Sequence, residues 1–299
     1  MIQSRSLGSK IFDACNTLLM VLITLICMYP FYYVIIYALS SPSEAIKGIT
    51  LLPRGFTLSN FQQILSDESL YKGLIISVSR TAIGGTVTVV CSSFFAYLVS
   101  RTGQRAMYGR KFIYRFVITT MYVAAGLIPT YLVYRAYGLR NNFLVYILPT
   151  AIVPYYVILL KTNFEQLPPS LEESAMLDGA GIMQIFFKII LPLSKPILAT
   201  IITFAVVAQW NAWFDSHIYI TNKDLYSLQY ILYNYLQEAQ HMAEAVSDSV
   251  AGAGADIDQI TPQTVRMAIT AIVTIPVLFV YPFMQRYFVK GIMVGAVKG

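Results

Sequence analysis

Long apolar runs separated by short polar breaks dominate the chain. Six stretches approach the ~20 mainly apolar residues that a helix needs to cross a ~30 Å bilayer core. They are residues 14–40, 73–100, 112–138, 143–160, 196–214 and 267–288. The fourth and fifth are short for a span. The pattern predicts an all-α polytopic membrane protein with six transmembrane helices. The first stretch is too long for a signal-peptide core and no small-residue cleavage site follows it, so it reads as a retained span. On one face two connecting loops are long, 41–72 and 215–266; on the other face the long segment is 161–195. In the second outer loop, LYSLQYILYNYLQ (225–237) places Leu225, Leu228, Ile231, Leu232 and Tyr235 near helical spacing. The following SDSVAGAGADIDQ (247–259) is small, acidic and flexible in composition. No convincing internal repeat is visible.

Composition agrees with the membrane reading. Of 299 residues 57% are apolar and 12% charged, against roughly 25% charged in a soluble domain. Mean hydropathy is +0.61. These values exclude a disordered chain, a disulfide scaffold and most soluble enzymes. Cys15, Cys27 and Cys91 all sit in apolar runs, and His217 and His241 lack ligand spacing. Neither a disulfide framework nor a metal site is expected. The net charge of +6 points to the positive-inside bias rather than to nucleic acid. With both termini cytoplasmic, thirteen basic and five acidic residues fall inside, a balance of +8; eight basic residues fall outside or in the outer halves of spans and ten acidic ones fall outside, a balance of −2. The short loop RTGQRAMYGRK (101–111) carries the densest basic cluster.

The inner segment 165–196, EQLPPSLEESAMLDGAGIMQIFFKIILPLSKP, holds the strongest local signal. Pro168 and Pro169 end the fourth span. Ser170 is suited to cap a new helix, with Glu173 three residues on as its capping-box partner. Gly179 and Gly181 interrupt helix propensity. Ile182, Ile185, Phe186 and Ile189 then recur at helical spacing, and Pro192 and Pro196 begin the next span. The expected product is a short helix, a glycine turn and a second short helix on the inner membrane surface. By composition alone it reads as an amphipathic connector.

The order of residues changes that reading. Glu173, Ala175, Asp178, Gly179, Ala180, Phe186, Ile190, Leu191, Pro192 and Pro196 follow E-x-A-x-x-D-G-A-x(5)-F-x(3)-I-L-P-x(3)-P. This resembles the EAA signature of permease subunits of bacterial ABC importers, with Ser174 where the family usually has a second Ala. SSFFAYLVSR (92–101), LIPTYLVYRAYGLRNNFLVYILP (127–149), WNAWF (210–214) and RYFVKGIMVGAVKG (286–299) are similar to further segments of the carbohydrate subfamily. Arg80-Thr81 and that tail resemble the LplC/YtcP-like permeases, associated with complex oligosaccharides. The resemblance implies a MetI-like fold and an inner-membrane subunit that imports sugars. It also implies partners: a second homologous permease, a cytoplasmic ATPase dimer carrying ATP and Mg, and an extracellular solute-binding protein. The chain would divide into 1–72 (tail, first span, outer loop), a core at 73–288 and a tail at 289–299. No phosphate-cradling G-x(4)-G-K-[ST] loop occurs, so no catalytic residue, metal or cofactor is expected on this chain. Glu172, Glu173, Ser174, Ala175, Asp178, Gly179, Ala180 and Gly181 would dock in the ATPase.

For the substrate pathway, Gln209, Trp210, Asn211 and Trp213 form the densest polar and aromatic cluster in a span. Such groups suit sugar ring faces and hydroxyls. The plain reading makes the two tryptophans interfacial anchors. Arg80 lies at membrane depth, where a charge costs ~2.5 kcal/mol or more; a snorkelling or subunit-interface role competes with a functional one. An ion-coupled secondary transporter, or an ABC permease for a non-sugar solute, remains the alternative. Ion coupling usually places acids at the midplane, and here the spans are nearly free of them apart from Asp13 and Asp215 at the edges.

Overall fold

The computed structural model describes residues 7–45, 47–48, 51–66, 68–102, 107–249, 264 and 266–278. Among these the architecture is helical, with one isolated antiparallel bridge, Ser40 to Phe56, and no strand. In chain order the α-helices are α1 (Leu7–Ala38), α2 (Pro42–Ala45), α3 (Ser59–Leu65), α4 (Glu68–Ser100), α5 (Arg110–Thr119), α6 (Leu127–Ala136), α7 (Pro154–Glu165), α8 (Ser170–Leu177), α9 (Ile182–Ile185), α10 (Leu191–Leu193), α11 (Lys195–Asn211), α12 (Phe214–Tyr219), α13 (Leu228–Ser249) and α14 (Arg266–Leu278). The chain forms two compact units, Met1–Asp67 with Tyr235–Thr274, and Glu68–Asn234 with Ile275–Gly299.

In the first unit, α1 turns nearly its whole apolar length outward; only Ile36, Tyr37 and Ala38 are buried. An apolar helix without inward partners suits lipid contact. Its C-terminus is pinned by the loop that follows it. The buried Asn60 amide donates to the Ala38 and Ser40 carbonyls at 2.9 and 3.0 Å, and the Thr57 N–H donates to the Leu39 carbonyl.

The second unit is organised on α4. Its buried positions include Gly73, Ser77, Arg80, Gly84, Thr88, Ser92 and Ala96, a stripe of three- and four-residue steps made mostly of small side chains. Such a stripe lets backbones approach closely within a membrane, and α7 and α11 pack against α4. Two apolar cores form along it. One joins Ala96, Tyr97 and Val99 to Val157, Leu160 and Phe164 of α7 and to Ile185, Phe186 and Ile190. The other gathers Leu139, Val145, Tyr146, Ile147, Tyr219 and Ile220.

Helices α1 and α4 are each long and apolar enough to cross a membrane. Two more spans follow if each bent pair counts as one: 143–150 with α7, bent by 43°, and 182–193 with α11, bent by 88°. The expected third span is divided into α5 and α6, interrupted at 120–126, where Gly126 takes a positive φ of 85°. The expected fourth begins as short 3₁₀ turns, Phe143–Tyr146 and Leu148–Thr150, before Pro154 starts α7. Of the expected sixth, α14 covers the first part; 279–288 lies outside the described residues, as do the tail motif at 286–299 and residues 250–259 of the acidic loop.

Candidate functional site

Helix α8 starts at Ser170, with Pro169 in the N-cap position and no side-chain cap. This corrects the expected Ser170–Glu173 capping box. The helix begins one residue early because Pro169 already has a helical φ of −59°, and the Glu172 and Glu173 N–H groups donate to the Pro169 carbonyl. At its C-terminus Gly179 takes φ +82°, the Gly179 N–H donates to the Met176 carbonyl and the Ala180 N–H to the Ala175 carbonyl, both at 2.9 Å. These are the two bonds of a Schellman termination, for which glycine has no Cβ penalty. A Cβ at Gly179 would meet nothing within 4 Å, so its conformation alone requires glycine. The next helix is capped by the Gln184 side chain, which accepts the Gly181 N–H at 3.1 Å.

The second half of the segment departs from the expected helical spacing. Residues Phe186–Ile190 form a π-helical turn, which spends an extra residue per turn. The buried face therefore runs through Ile185, Phe186 and Ile190 instead of Ile182, Ile185, Phe186 and Ile189. Ile182 is 57% exposed. Pro192 lies just beyond; it has no N–H to return to the preceding turn, and the wide turn accommodates that. Phe186 is the anchor. It is fully buried, edge-on to Phe94 and tilted against Tyr97, each at a centroid distance of 5.3 Å.

The acids of the segment divide. Glu172 is buried and ion-paired with Arg101, whose guanidinium lies 4.6 Å from the Tyr97 ring centroid. Arg110 in turn donates to the Arg101 carbonyl. Glu173, Ser174, Asp178, Gly179 and Gly181 are exposed, while Ala175 and Ala180 are half-buried. Around them Leu171, Leu177, Ile182 and Met183 present apolar side chains outward. The result is an exposed crest on an anchored base.

At the C-terminal end of α11 the four expected pathway residues do not share one face. Gln209 and Trp210 are buried, Trp213 is half-buried and Asn211 is exposed. Trp210 lines a 490 Å³ apolar cavity between α4 and α11 with Thr81, Gly85 and Val206. Trp213 stacks on Tyr233 at 4.1 Å. The Asn211 side-chain carbonyl accepts from the Gln229 amide at 3.2 Å.

Gln209 belongs to a buried network centred on Arg80, which is 1% exposed. Arg80 Nη1 and Nη2 donate to the two carboxylate oxygens of Asp215 at 3.0 and 2.5 Å. Nη1 also donates to the Ala212 carbonyl at 3.1 Å. Nε and Nη2 donate to Gln209 Oε1 at 3.3 and 3.2 Å. Gln209 Nε2 then donates to the Tyr146 carbonyl at 3.2 Å and to Thr150 Oγ1 at 2.8 Å, so all four hydrogen-bonding positions of the amide are used. The guanidinium lies 4.2 Å from the Tyr146 ring centroid, and the Tyr146 hydroxyl donates to the Leu225 carbonyl at 2.7 Å and contacts Ser216 Oγ at 2.6 Å. A Cβ on Gly84 would lie 2.8 Å from the Gln209 nitrogen; only glycine admits this amide. Sequence reasoning named Arg80 and Gln209 but missed Asp215, Tyr146 and Ser216 as partners. The available signal was the requirement that a charge at membrane depth find a counter-charge; Asp215 was the acid at the edge of the neighbouring span.

Comparison with known proteins gives concordant results. Residues 92–294 match the family described as binding-protein-dependent transport system inner membrane component. The polygalacturonan/rhamnogalacturonan transport system permease protein YtcP of Bacillus subtilis (strain 168) is 38% identical over 292 residues, covering 97% of this chain and 99% of that protein. Protein LplC of the same organism is 34% identical, over 98% and 96% of the two chains. A chain from the crystal structure of a bacterial ABC transporter involved in the import of the acidic polysaccharide alginate superposes with a TM-score of 0.81 at 27% identity, over 95% of this chain and 98% of that one. With a buried polar network on its central helix and an anchored glycine-turned surface segment, this chain belongs to the family of binding-protein-dependent transport inner-membrane components.

Proposed function

We propose that this chain is one of two membrane subunits of an ATP-driven importer of complex oligosaccharides, and that polymers containing acidic sugars supply its substrates. It forms half of the translocation pathway through six spans, with both termini cytoplasmic. A second homologous permease completes the pathway. An extracellular binding protein delivers the sugar, and two cytoplasmic ATPase subunits hydrolyse ATP with Mg. Support for the sugar class comes from the relatives: one is a permease protein of a polygalacturonan/rhamnogalacturonan transport system and another belongs to a transporter involved in alginate import, and each aligns over nearly its whole length.

The observation that carries the mechanical role is the surface segment. Glu173, Asp178 and Gly179 are exposed among outward apolar residues, while Phe186 and the Glu172–Arg101 pair fix the same segment to α4. A partner that grips the crest therefore pulls on a rigid body. Coupling demands this, because two global states must be biased from another subunit. Helix α11 begins beside the segment and runs 17 residues, ~25 Å at 1.5 Å per residue, to Gln209 and Asn211. The cleanest test is reconstitution with the second permease, the ATPase and the binding protein, followed by uptake of labelled oligogalacturonides and of neutral oligosaccharides. ATP-dependent uptake of the acidic series is expected. Uptake of neutral sugars alone would refute the acidic substrate class, and ATP-independent uptake driven by an ion gradient would refute the importer reading.

A further inference from the structure

We propose that the cleft between α5, α7 and the end of α4 binds the phosphate headgroup of an anionic phospholipid. The cleft is a cavity of 280 Å³ whose lining includes Arg110, Lys111, Arg115, Lys161 and Glu165. Four cations thus face one acid, and Glu165 is already engaged by Lys161 at 2.6 Å. Lys161 is further held 4.8 Å from the Tyr114 ring centroid. Arg110, Lys111 and Arg115 remain as the unbalanced charge, and they also line an adjoining open depression.

Local helix chemistry sharpens the imbalance. Arg110 and Lys111 occupy the first turn of α5, which has no acidic residue there and no side-chain cap on its N-cap residue Gly109. Cations at the positive end of a helix repel the dipole, and an anion relieves both terms at once. The occupant is identified by what surrounds the charge. Lys111 and Phe112, then Arg115 and Phe116, form successive exposed pairs one turn apart, with Phe112 75% exposed. A basic row beside an outward aromatic row at the start of a spanning helix is the arrangement that anchors its end at headgroup level. A free phosphate ion has no use for the aromatic row; a lipid engages both. Basic pockets between spanning helices hold anionic headgroups in this way.

The inference is independent of which sugar is transported. Its test uses the complete importer, extracted and equilibrated in mixed micelles of phosphatidylglycerol and phosphatidylcholine, with the retained lipid quantified by mass spectrometry. The wild type should enrich phosphatidylglycerol. Lys111→Gln and Arg115→Gln should each reduce that enrichment by about fivefold, and Arg115→Lys should retain it. Millimolar inorganic phosphate should leave the enrichment unchanged. Three results would overturn the proposal. The first is equal enrichment in the wild type and the Gln variants. The second is displacement of the lipid by inorganic phosphate, which makes this a phosphate site. The third is loss of the ATPase subunits from the Gln variants with enrichment intact, which assigns the cleft to an acidic protein surface.

Discussion

Arg80 and Asp215 lie 135 residues apart in sequence and meet in a two-pronged ion pair at 3.0 and 2.5 Å. The pair joins the middle of the long helix α4 to the short helix α12 that follows α11. Its geometry is the planar fork-to-carboxylate match that arginine provides and lysine does not. Because the Gln209 amide and the Ala212 carbonyl complete the guanidinium's partners, this charge is compensated inside the protein and does not snorkel.

The first prediction follows from that compensation. Removing one member of a buried pair leaves the other uncompensated, at a cost of about 3–5 kcal/mol. Arg80→Met and Asp215→Asn should each lower the thermal stability of the assembled complex sharply. The double variant Arg80→Met with Asp215→Asn should cost much less than the sum. Strict additivity in this double-mutant cycle, read as Tm or as the yield of assembled complex, would show that the two residues are not coupled. Arg80→Lys should behave as a damaging change, because an ammonium cannot hold Asp215, Gln209 and Ala212 together.

Much of this was legible in the sequence, and the failures have physical causes. The helical class and the positions of α1 and α4 follow from uninterrupted apolar runs. The surface segment follows from the spacing of its glycines and prolines. The division of the third expected span into α5 and α6 did not show, because hydrophobicity is blind to the break at Tyr122 and Gly126. The shift of the buried face from Ile189 to Ile190 was invisible because a π turn departs from the 3.6-residue period on which such readings rest. The Arg80 network escaped because its members come from four separate stretches, around residues 80, 146, 209 and 215, and no local pattern links them.

A second prediction concerns Gly179. With φ at +82° and open space around it, its replacement by Ala should cost roughly 1–2 kcal/mol for the left-handed conformation. Asn, which tolerates that region, should cost less. The damage should appear as a frayed end of α8 and as ATP hydrolysis that no longer tracks transport. If the Ala and Asn variants both couple hydrolysis to uptake as the wild type does, the turn is not part of the transmission.

The segment's two faces should respond oppositely to mutation. Phe186→Ala removes a fully buried ring from the contact with Phe94 and Tyr97, for a loss of about 3–5 kcal/mol. Ile182→Ser alters an exposed position and should leave stability within about 0.5 kcal/mol. Under the proposed docking it should nevertheless weaken capture of the ATPase, measured as co-purification of the subunits. A stable Ile182→Ser complex with full ATPase content would place the docking surface elsewhere.

The last prediction separates two neighbours on α11 that the sequence treated alike. Gln209 spends its whole amide inside the protein, on Arg80, Tyr146 and Thr150. Asn211 is exposed and touches Gln229. Gln209→Leu keeps the volume but strips two acceptor and two donor contacts. The groups left behind include a charged one, so a loss of about 2–3 kcal/mol is expected. Because the variant disturbs the scaffold and not the pathway, the surviving complex should show the same ranking of oligosaccharides as the wild type. Asn211→Leu should be nearly neutral for stability, since it leaves only the Gln229 amide to find water. If the outer end of α11 meets the sugar, however, this change should lower uptake at limiting substrate while basal ATP hydrolysis persists. Uptake curves for the two variants, set beside their melting temperatures, decide the matter. A stable Asn211→Leu importer with unaltered uptake would remove this residue from the pathway and assign the sugar contacts to the partner permease.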